Sequence, residues 1–415
     1  MTSEADRLLR LKKQYLIPSV YHFYQNPPAL VRGADCYVYD DQDREYLDCF
    51  SGVTVMSAGH SNPEITSAAI AQIKQLQNTT TIYLTAPMLE LAEQLAAITP
   101  GDLNKFFFCA SGSEANEAAL LMATSFTQKN EIIYLKEGLH GRTKWAMSVT
   151  GIDMWRTDDN LVVTTHAIPG TQSLDSLEIL EKKLREGKIA AVIAEPIQGN
   201  GGIIVPPIGY WQNMRELCTR YGALLIADEI QTGMNRTGTW FATDHEKIIP
   251  DIITMAKALG NGFPIAVCAV SERIAKDYRK PAGCTFGGNP IACRTALAVL
   301  KYHREHQLGD RSWQSGQWLI NELRGLKDEV PLIKEVRGRG LMIGVELNDS
   351  KENSAAQLTD QILEEMKDRG FLIGKSGIQR NVITLMPPLI IQDYQLQSLV
   401  STLKTVLQLK MQNLH

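Results

Sequence analysis

Between residues 106 and 270 the sequence repeats one rhythm, a short and continuous apolar run followed by a longer stretch with helical spacing. The runs are FFFCA (106–110), EIIYL (131–135), LVVTTHA (161–167), IAAVIAE (189–195), ALLIADE (223–229), DIITMA (251–256) and IAVCAV (265–270). Most are continuous rather than alternating in polarity. Each therefore predicts a strand buried on both faces, the condition of a parallel sheet covered by helices. Helical patterns at 113–127, 173–186 and 209–221 separate several of them. The expected fold is α/β, a mainly parallel seven-stranded sheet with helices on both faces.

The flanks follow other patterns. YVYDDQDREYLD (37–48) alternates around a DDQD turn, as a hairpin does, and a helix is expected near 62–75. From about Asn289 a long helical pattern leaves the rhythm, and GLMIGVEL, a helix near 355–369, FLIGKSG, NVITLMPPLII and a final helix read as a small α+β domain. At 415 residues the chain exceeds one ordinary compact core. The expected division is an N-terminal segment (1–50) packing with the small domain, a large cofactor-binding domain (51–300) and a C-terminal small domain (301–415).

Composition narrows the function classes. With 44% hydrophobic and 21% charged residues the chain is of ordinary globular type, and a net charge of −4 offers no basic field for nucleic acid or an anionic membrane. No apolar run approaches the roughly 20 residues that span a bilayer. The seven cysteines are odd in number, scattered and free of CxxC pairs, which argues against a disulfide framework or a metal site and fits a reducing compartment. The start, MTSEADRLLRLKKQYLIPS, lacks the apolar core of a secretory signal, so the expected location is cytoplasmic.

Chemistry enters at IITMAKALGNGFP (252–264). Lys257 stands directly behind a strand-like run and before Gly260 and Gly262, where an open α/β sheet presents reactive groups. A surface lysine with its head in water is the alternative. In CASGSEANEAA (109–119) a strand turns through Ser111, Gly112 and Ser113 into a helix, whose free N–H groups and positive dipole end suit a phosphate; a plain N-cap is the alternative. Asp228, in LLIADEIQTG, ends an apolar strand and requires a cationic or protonated partner if buried. A phosphate cradle, a carboxylate and a lysine at strand ends of one sheet together describe a pyridoxal 5′-phosphate site.

The ordered motifs ASGSEANEAA, HGRT, EPIQG, DEIQTG, TMAKALGNGFPI and TFGGNPIAC resemble those of the class III (subgroup II) pyridoxal phosphate aminotransferases over nearly the whole chain. TMAKALGNGFPI and YLTAPMLELAEQLA look most like the alanine–glyoxylate aminotransferase 2 branch, with much in common with 4-aminobutyrate and ornithine enzymes. The resemblance implies fold type I of the pyridoxal phosphate-dependent transferases. It implies that Lys257 forms the Schiff base and shuttles a proton, with its pKa lowered from about 10.4 by the cationic, partly buried site. It also implies that Asp228 pairs with the pyridine nitrogen, that Gln231 reaches the phenolic oxygen and that Ile230 packs under the ring. Gly112 and Ser113 would hold the phosphate. Thr285, in TFGGNP, would contact the phosphate of a neighbouring subunit, which makes a homodimer part of the site. Glu195, in EPIQG, would lie near Asp228, a solvated strand-end carboxylate being the alternative.

Three positions depart from the family's commonest pattern. Leu139 stands before HG where Phe or Tyr usually stacks on the cofactor, so stacking falls to His140 or to aliphatic packing. Asn200 replaces the glutamate that follows QG in 4-aminobutyrate and ornithine enzymes, and Thr384 replaces an arginine that grips an α-carboxylate. The two losses belong together, since removing one partner would strand a buried charge at a cost of about 3–5 kcal/mol. Arg142, in HGRT, remains as the expected anchor for a distal carboxylate, an ordinary surface ion pair being the alternative, and Val53 is placed on the substrate side.

The leading expectation is transfer of an amino group from an ω-amino acid or small α-amino acid to pyruvate or glyoxylate. Racemisation or decarboxylation on the same cofactor is the second reading. A non-catalytic scaffold is the third, and the retained Lys257 and Asp228 argue against it.

Overall fold

The computed structural model describes residues 3–158, 160, 163–350 and 353–412. Three N-terminal strands, β1 (Leu30–Ala34), β2 (Tyr37–Asp40) and β3 (Glu45–Asp48), form an antiparallel meander. The β2–β3 hairpin closes at the DDQD turn, where Asp40 Oδ1 accepts the N–H groups of Gln42 and Arg44, both at 3.0 Å. That side chain mimics a backbone turn, which explains the aspartate at position 40.

The central sheet contains β4 (Lys105–Cys109), β5 (Glu131–Leu135), β6 (Thr165–Ile168), β7 (Ile189–Ala194), β8 (Leu224–Asp228), β9 (Ile252–Met255) and β10 (Ala266–Val270). Its order is β4-β10-β9-β8-β7-β5-β6. Every pairing from β9 to β6 is parallel, and β10 runs against both its neighbours. Each residue of β7, β8, β9 and β10 is buried, whereas the edge strands β4 and β6 are partly open. The continuous apolar runs are thus the signature of the sheet's interior, where both faces meet helices. The helix Gly112–Thr127 covers one face and Tyr210–Tyr221 the other. The run at 161–167 yields a shorter strand, beginning at Thr165; Leu161 and Val162 lie outside the described residues.

The C-terminal region holds β11 (Ile333–Arg339), β12 (Met342–Leu347), β13 (Phe371–Leu372), β14 (Gly374–Ser376) and β15 (Val382–Leu385). Four of them form an antiparallel sheet, β11-β12-β15-β14, while β13 pairs with β3 through Leu47↔Phe371. Cys36, Leu47 and Cys49 share an apolar core with Leu323, Ile343, Ile362 and Leu403. The N-terminal meander therefore packs with the C-terminal sheet. A 22-residue helix, Leu308–Glu329, also covers this core, and its spacing in the sequence does not separate it from the helix before it. The boundary expected at 300 falls inside the helix Pro290–Glu305, which packs against Pro63–Ile73 and Ala86–Ala96 of the larger unit. That helix touches both cores, since Ala292, Cys293, Ala296 and Leu300 lie in the core of the central sheet and Tyr302 packs against the C-terminal one.

Arg236 ties the two units together. Fully buried, it donates to the carbonyls of Leu341 (2.9 Å) and Pro387 (2.7 Å) and to Ser57 Oγ (3.2 Å). Burial pulls its pKa down to about 9.

Candidate active site

The strands β4, β5, β7, β8 and β9 share a direction, so their carboxyl ends open on one edge of the sheet, where such folds place ligands. From these ends come Gly112 and Ser113, Leu139 and His140, Glu195, Asp228 and Lys257, in that order. All line one cavity of about 400 Å³, together with Asn200, Ile230 and Gln231. The volume is within the usual range for small-molecule sites.

Lys257 begins a short turn between β9 and the reversed strand β10, with a left-handed backbone (φ 46°). Such a conformation is uncommon for a residue with a side chain and collects at functional sites. Burial is the main cause lowering its pKa, opposed by the negative charges of Glu195 and Asp228. A lysine held this way is a better nucleophile than one on the surface.

Asp228 is 3% exposed and thoroughly held. Its Oδ2 accepts from Asn116 Nδ2 (2.7 Å) and lies 2.7 Å from His140 Nδ1, while Oδ1 accepts from the Ile230 N–H (3.1 Å). Asn116 donates also to the His140 carbonyl (2.6 Å) and accepts from Thr254 Oγ1 (2.7 Å). The partner required by this buried acid is thus supplied by His140, Asn116 and the nearby Lys257. Asn116 is not among the residues that the sequence motifs single out. A signal for it exists: an amide in the helix after the Gly/Ser turn, one helical turn beyond Ser113, faces the same way as the phosphate loop. His140, in turn, is fixed to Asp228 through its ring Nδ1 while it lines the cavity. The apolar walls of the cavity include Leu139, Ile230, Val55, Phe263 and Ile265.

Glu195 is buried, which removes the solvated alternative. Its two oxygens accept the N–H groups of Leu139 (2.8 Å) and Gly199 (2.9 Å). Burial, with a smaller contribution from Asp228, raises its pKa to about 7 against the pull of His140 and these two donors.

At the phosphate end, Ser111 caps the helix by accepting from the Glu114 N–H (3.3 Å), and Ser113 Oγ accepts from the Arg142 N–H (3.0 Å). The first helical N–H groups have no intrahelical partner by geometry. Gly112 lets Ile230 approach closely: a Cβ would stand 2.8 Å from Ile230 Cδ1.

Other expected residues lie elsewhere. Arg142 is exposed, does not line the cavity and makes no ion pair among the described residues, so the ordinary ion-pair reading does not hold for it. Thr285 is also exposed, its carbonyl accepting from Asn78 Nδ2 (3.2 Å). Val53 lies in a left-handed turn, Ser51–Thr54, with φ 65°, and it is Val55 beyond the turn that reaches the cavity. Thr384 is buried in β15 and bonds Ser376 Oγ (2.8 Å), away from the cavity.

The arrangement fits pyridoxal phosphate on its own terms. A buried carboxylate with hydrogen-bonded supports faces a lysine of lowered pKa across a cavity that ends on a helix N-terminus, and His140 Nε2 is buried without a protein partner. Comparison with known proteins agrees. The family described as aminotransferase class III matches residues 22–407. The chain is a class III aminotransferase.

Among relatives, it is 38% identical over 399 residues to alanine–glyoxylate aminotransferase 2 homolog 2, mitochondrial, of Arabidopsis thaliana, covering 93% of this chain and 84% of the relative. It is 37% identical to an acetylornithine aminotransferase of Methanopyrus kandleri, covering 92% and 94% of the two chains. Among solved structures, a transaminase from the marine bacterium Virgibacillus superposes with a TM-score of 0.92 at 29% identity, covering 99% and 100%. The cofactor of this class III aminotransferase is pyridoxal 5′-phosphate. No helix among the described residues is long and apolar enough to cross a membrane.

Proposed function

We propose that this aminotransferase moves an amino group from an ω-amino acid or small α-amino acid, such as β-alanine, 4-aminobutyrate or alanine, to pyruvate or glyoxylate in a ping-pong cycle. The observation that carries the reading is the make-up of the cavity wall. No arginine lines it among the described residues, and Asn200 stands on it. Nothing there can grip a second carboxylate in the bidentate way of a guanidinium. The position of Thr384 is closed as well, since its cross-strand neighbours Gly344 and Gly374 are packed over by Ile203 and Phe50.

When bound, the cofactor supplies an aldehyde that captures the amine and a ring that takes up electrons. The chain's residues do the rest. Asp228, held by His140 and Asn116, would pair with the protonated ring nitrogen. Lys257 Nζ, its pKa lowered by burial, would take up the proton from the substrate's Cα. Gln231 would donate to the phenolic oxygen, Ile230 and Leu139 would enclose the ring, and Gly112 and Ser113 would hold the phosphate. Arg142, without an ion-pair partner among the described residues, anchors the substrate carboxylate at the rim. Thr285 completes the phosphate site of a second subunit. In support of a homodimer, exposed apolar residues gather on the same side: Phe286 follows Thr285, and Ile82, Tyr83 and Leu84 follow Asn78, which binds it.

The test is a panel of these donors against pyruvate, glyoxylate and 2-oxoglutarate, with kcat/KM for each pair. Turnover with pyruvate or glyoxylate should exceed that with 2-oxoglutarate by at least about tenfold, the effect of roughly one lost charged hydrogen bond. Equal use of 2-oxoglutarate refutes the reading. Arg142→Ala should cost about 1.5–3 kcal/mol in the ω-amino acid half-reaction, and sedimentation of an active monomer refutes the dimer.

A further inference from the structure

Behind the cavity wall, the loops leaving β5, β6 and β7 carry side-chain atoms that are buried and have no protein partner. They are Glu137 Oε2, Thr171 Oγ1 and both amide atoms of Gln198. Gln198 is fully buried and Thr171 is 3% exposed. Close glycines bring them together. A Cβ on Gly170 would stand 2.0 Å from Glu137 Oε2, and one on Gly201 would stand 2.9 Å from Glu137 Cβ and 3.3 Å from Gln198 Cβ. The Glu137 carboxyl thus rests on the residue before Thr171, with Gln198 starting beside it.

In front of this group is the Glu195 clamp. Leu139, two residues after Glu137, and Gly199, directly after Gln198, supply the two N–H groups that Glu195 accepts. We propose that Glu137, Thr171 and Gln198 form a polar site for ordered water that locks loops 137–140 and 196–201 together and so positions the Glu195 carboxylate. Buried polar atoms left unpaired are costly, and a polar enclosure offering two to four partners is where internal water is retained. The Glu137 carboxyl has its pKa raised by burial, and Lys136 and Tyr210 are charged or titratable groups that act on it or feel it. Around Glu195 the facing groups are His140, Asp228 and Lys257.

All three are positioning residues, whatever the amino donor. If the lock is lost, Glu195 loses N–H donors, carries less negative charge, and supports the cations beside it less well. Two readouts follow, one on the apoprotein and one on the holoenzyme. In Glu137→Ala and Gln198→Leu, amide exchange in segments 137–141 and 196–202 of the apoprotein should accelerate about tenfold, as expected when roughly one hydrogen bond is removed from a local opening. In the same holoenzymes the pH midpoint of the cofactor's visible band should fall. Glu137→Gln, which keeps hydrogen-bonding atoms, should match the wild type in both. Unchanged exchange and midpoint in the Ala and Leu variants overturn the proposal, as does a Glu137→Gln variant that behaves like Glu137→Ala. Should Glu137→Ala fail to fold, Gln198→Leu and Thr171→Val are measured in the same two ways, and wild-type values in both again overturn the proposal.

Discussion

The floor of the cavity and its rim differ in kind. On the floor, Glu195, Asp228 and Lys257 follow or end three adjacent strands, and both carboxylates are buried with their partners supplied by the same chain. Arg142 and Thr285, which we propose for the rim although neither lines the cavity, are exposed to solvent, with Arg142 unpaired among the described residues. The floor is finished by folding of one chain, because strand ends fix backbone positions and the sheet's core fixes the strands. The rim waits for a substrate and, on the proposed reading, for a second subunit. Cofactor chemistry should therefore respond to single substitutions in the floor, and substrate choice to changes at the rim.

The sharpest way to break that contrast is Lys257→Ala. Turnover should fall by more than about a thousandfold, in the range of a positioned acid–base group, and the yellow colour of the covalently held cofactor should be lost. Near-normal turnover would mean the floor does not perform the chemistry. Asp228→Ala should come next. It orphans two buried donors, at about 1–3 kcal/mol for each group left unsatisfied, so both melting temperature and cofactor affinity should decline. A variant that melts normally and binds cofactor normally would reduce Asp228 to a bystander.

Much of the floor is legible in the sequence because strand ends announce themselves. DIITMA before Lys257 and LLIA before Asp228 are apolar runs that the sheet buries, and the polar residue after such a run has only the carboxyl edge to occupy. Asn116 is harder to find, since a helix displays no edge and an amide there reads as solvent-facing until the helix's inner face is known. The role of His140 turns on a hydrogen bond to a residue 88 positions away, which no local pattern contains. In the C-terminal region, Leu308–Glu329 is hidden because its spacing continues that of Pro290–Glu305 across the short break at His306 and Gln307. The rim is legible only as motif, because HGRT and TFGGNP leave Arg142 and Thr285 exposed and off the cavity lining, where the geometry of one chain assigns them no contact with it.

A third prediction uses Glu195 to measure how far the floor is desolvated. Its carboxyl has a pKa of about 7 in the fold against 4.5 unfolded. A group raised in this way costs nothing below the unfolded value. The penalty grows between the two values and is complete above about pH 7, so the apoprotein should lose stability as pH rises through that window. The displacement corresponds to about 3 kcal/mol as an order of magnitude. Glu229, also raised to about 7 by burial, adds the same sign. The difference between wild type and Glu195→Gln isolates one of them: denaturant unfolding of both apoproteins at pH 5 and pH 8 should show a smaller pH loss for the variant. Equal losses would mean that solvent reaches Glu195.

The smallest effect, on acceptor choice, probes the rim's absent pair. Thr384 lies opposite Gly344 on one side and Gly374 on the other, and Ile203 and Phe50 fill the space that side chains at those glycines would take. Thr384→Arg alone therefore introduces a cation among packed apolar groups, and an unpaired buried charge costs about 3–5 kcal/mol. Asn200→Glu alone adds a carboxylate to the cavity wall without its cation. The backbones of the two regions are already joined, since the Gly377 N–H donates to the Asn200 carbonyl at 2.9 Å. A glutamate at 200 is thus carried on the loop that β14 and β15 anchor, where it can meet an arginine at 384. The double variant should be more stable than Thr384→Arg, and its preference for 2-oxoglutarate over pyruvate should rise about tenfold, roughly 1.4 kcal/mol, more than either single change gives. Additive single effects in a double-mutant cycle would show that the two positions do not communicate, leaving Arg142 as the proposed anchor for the substrate carboxylate.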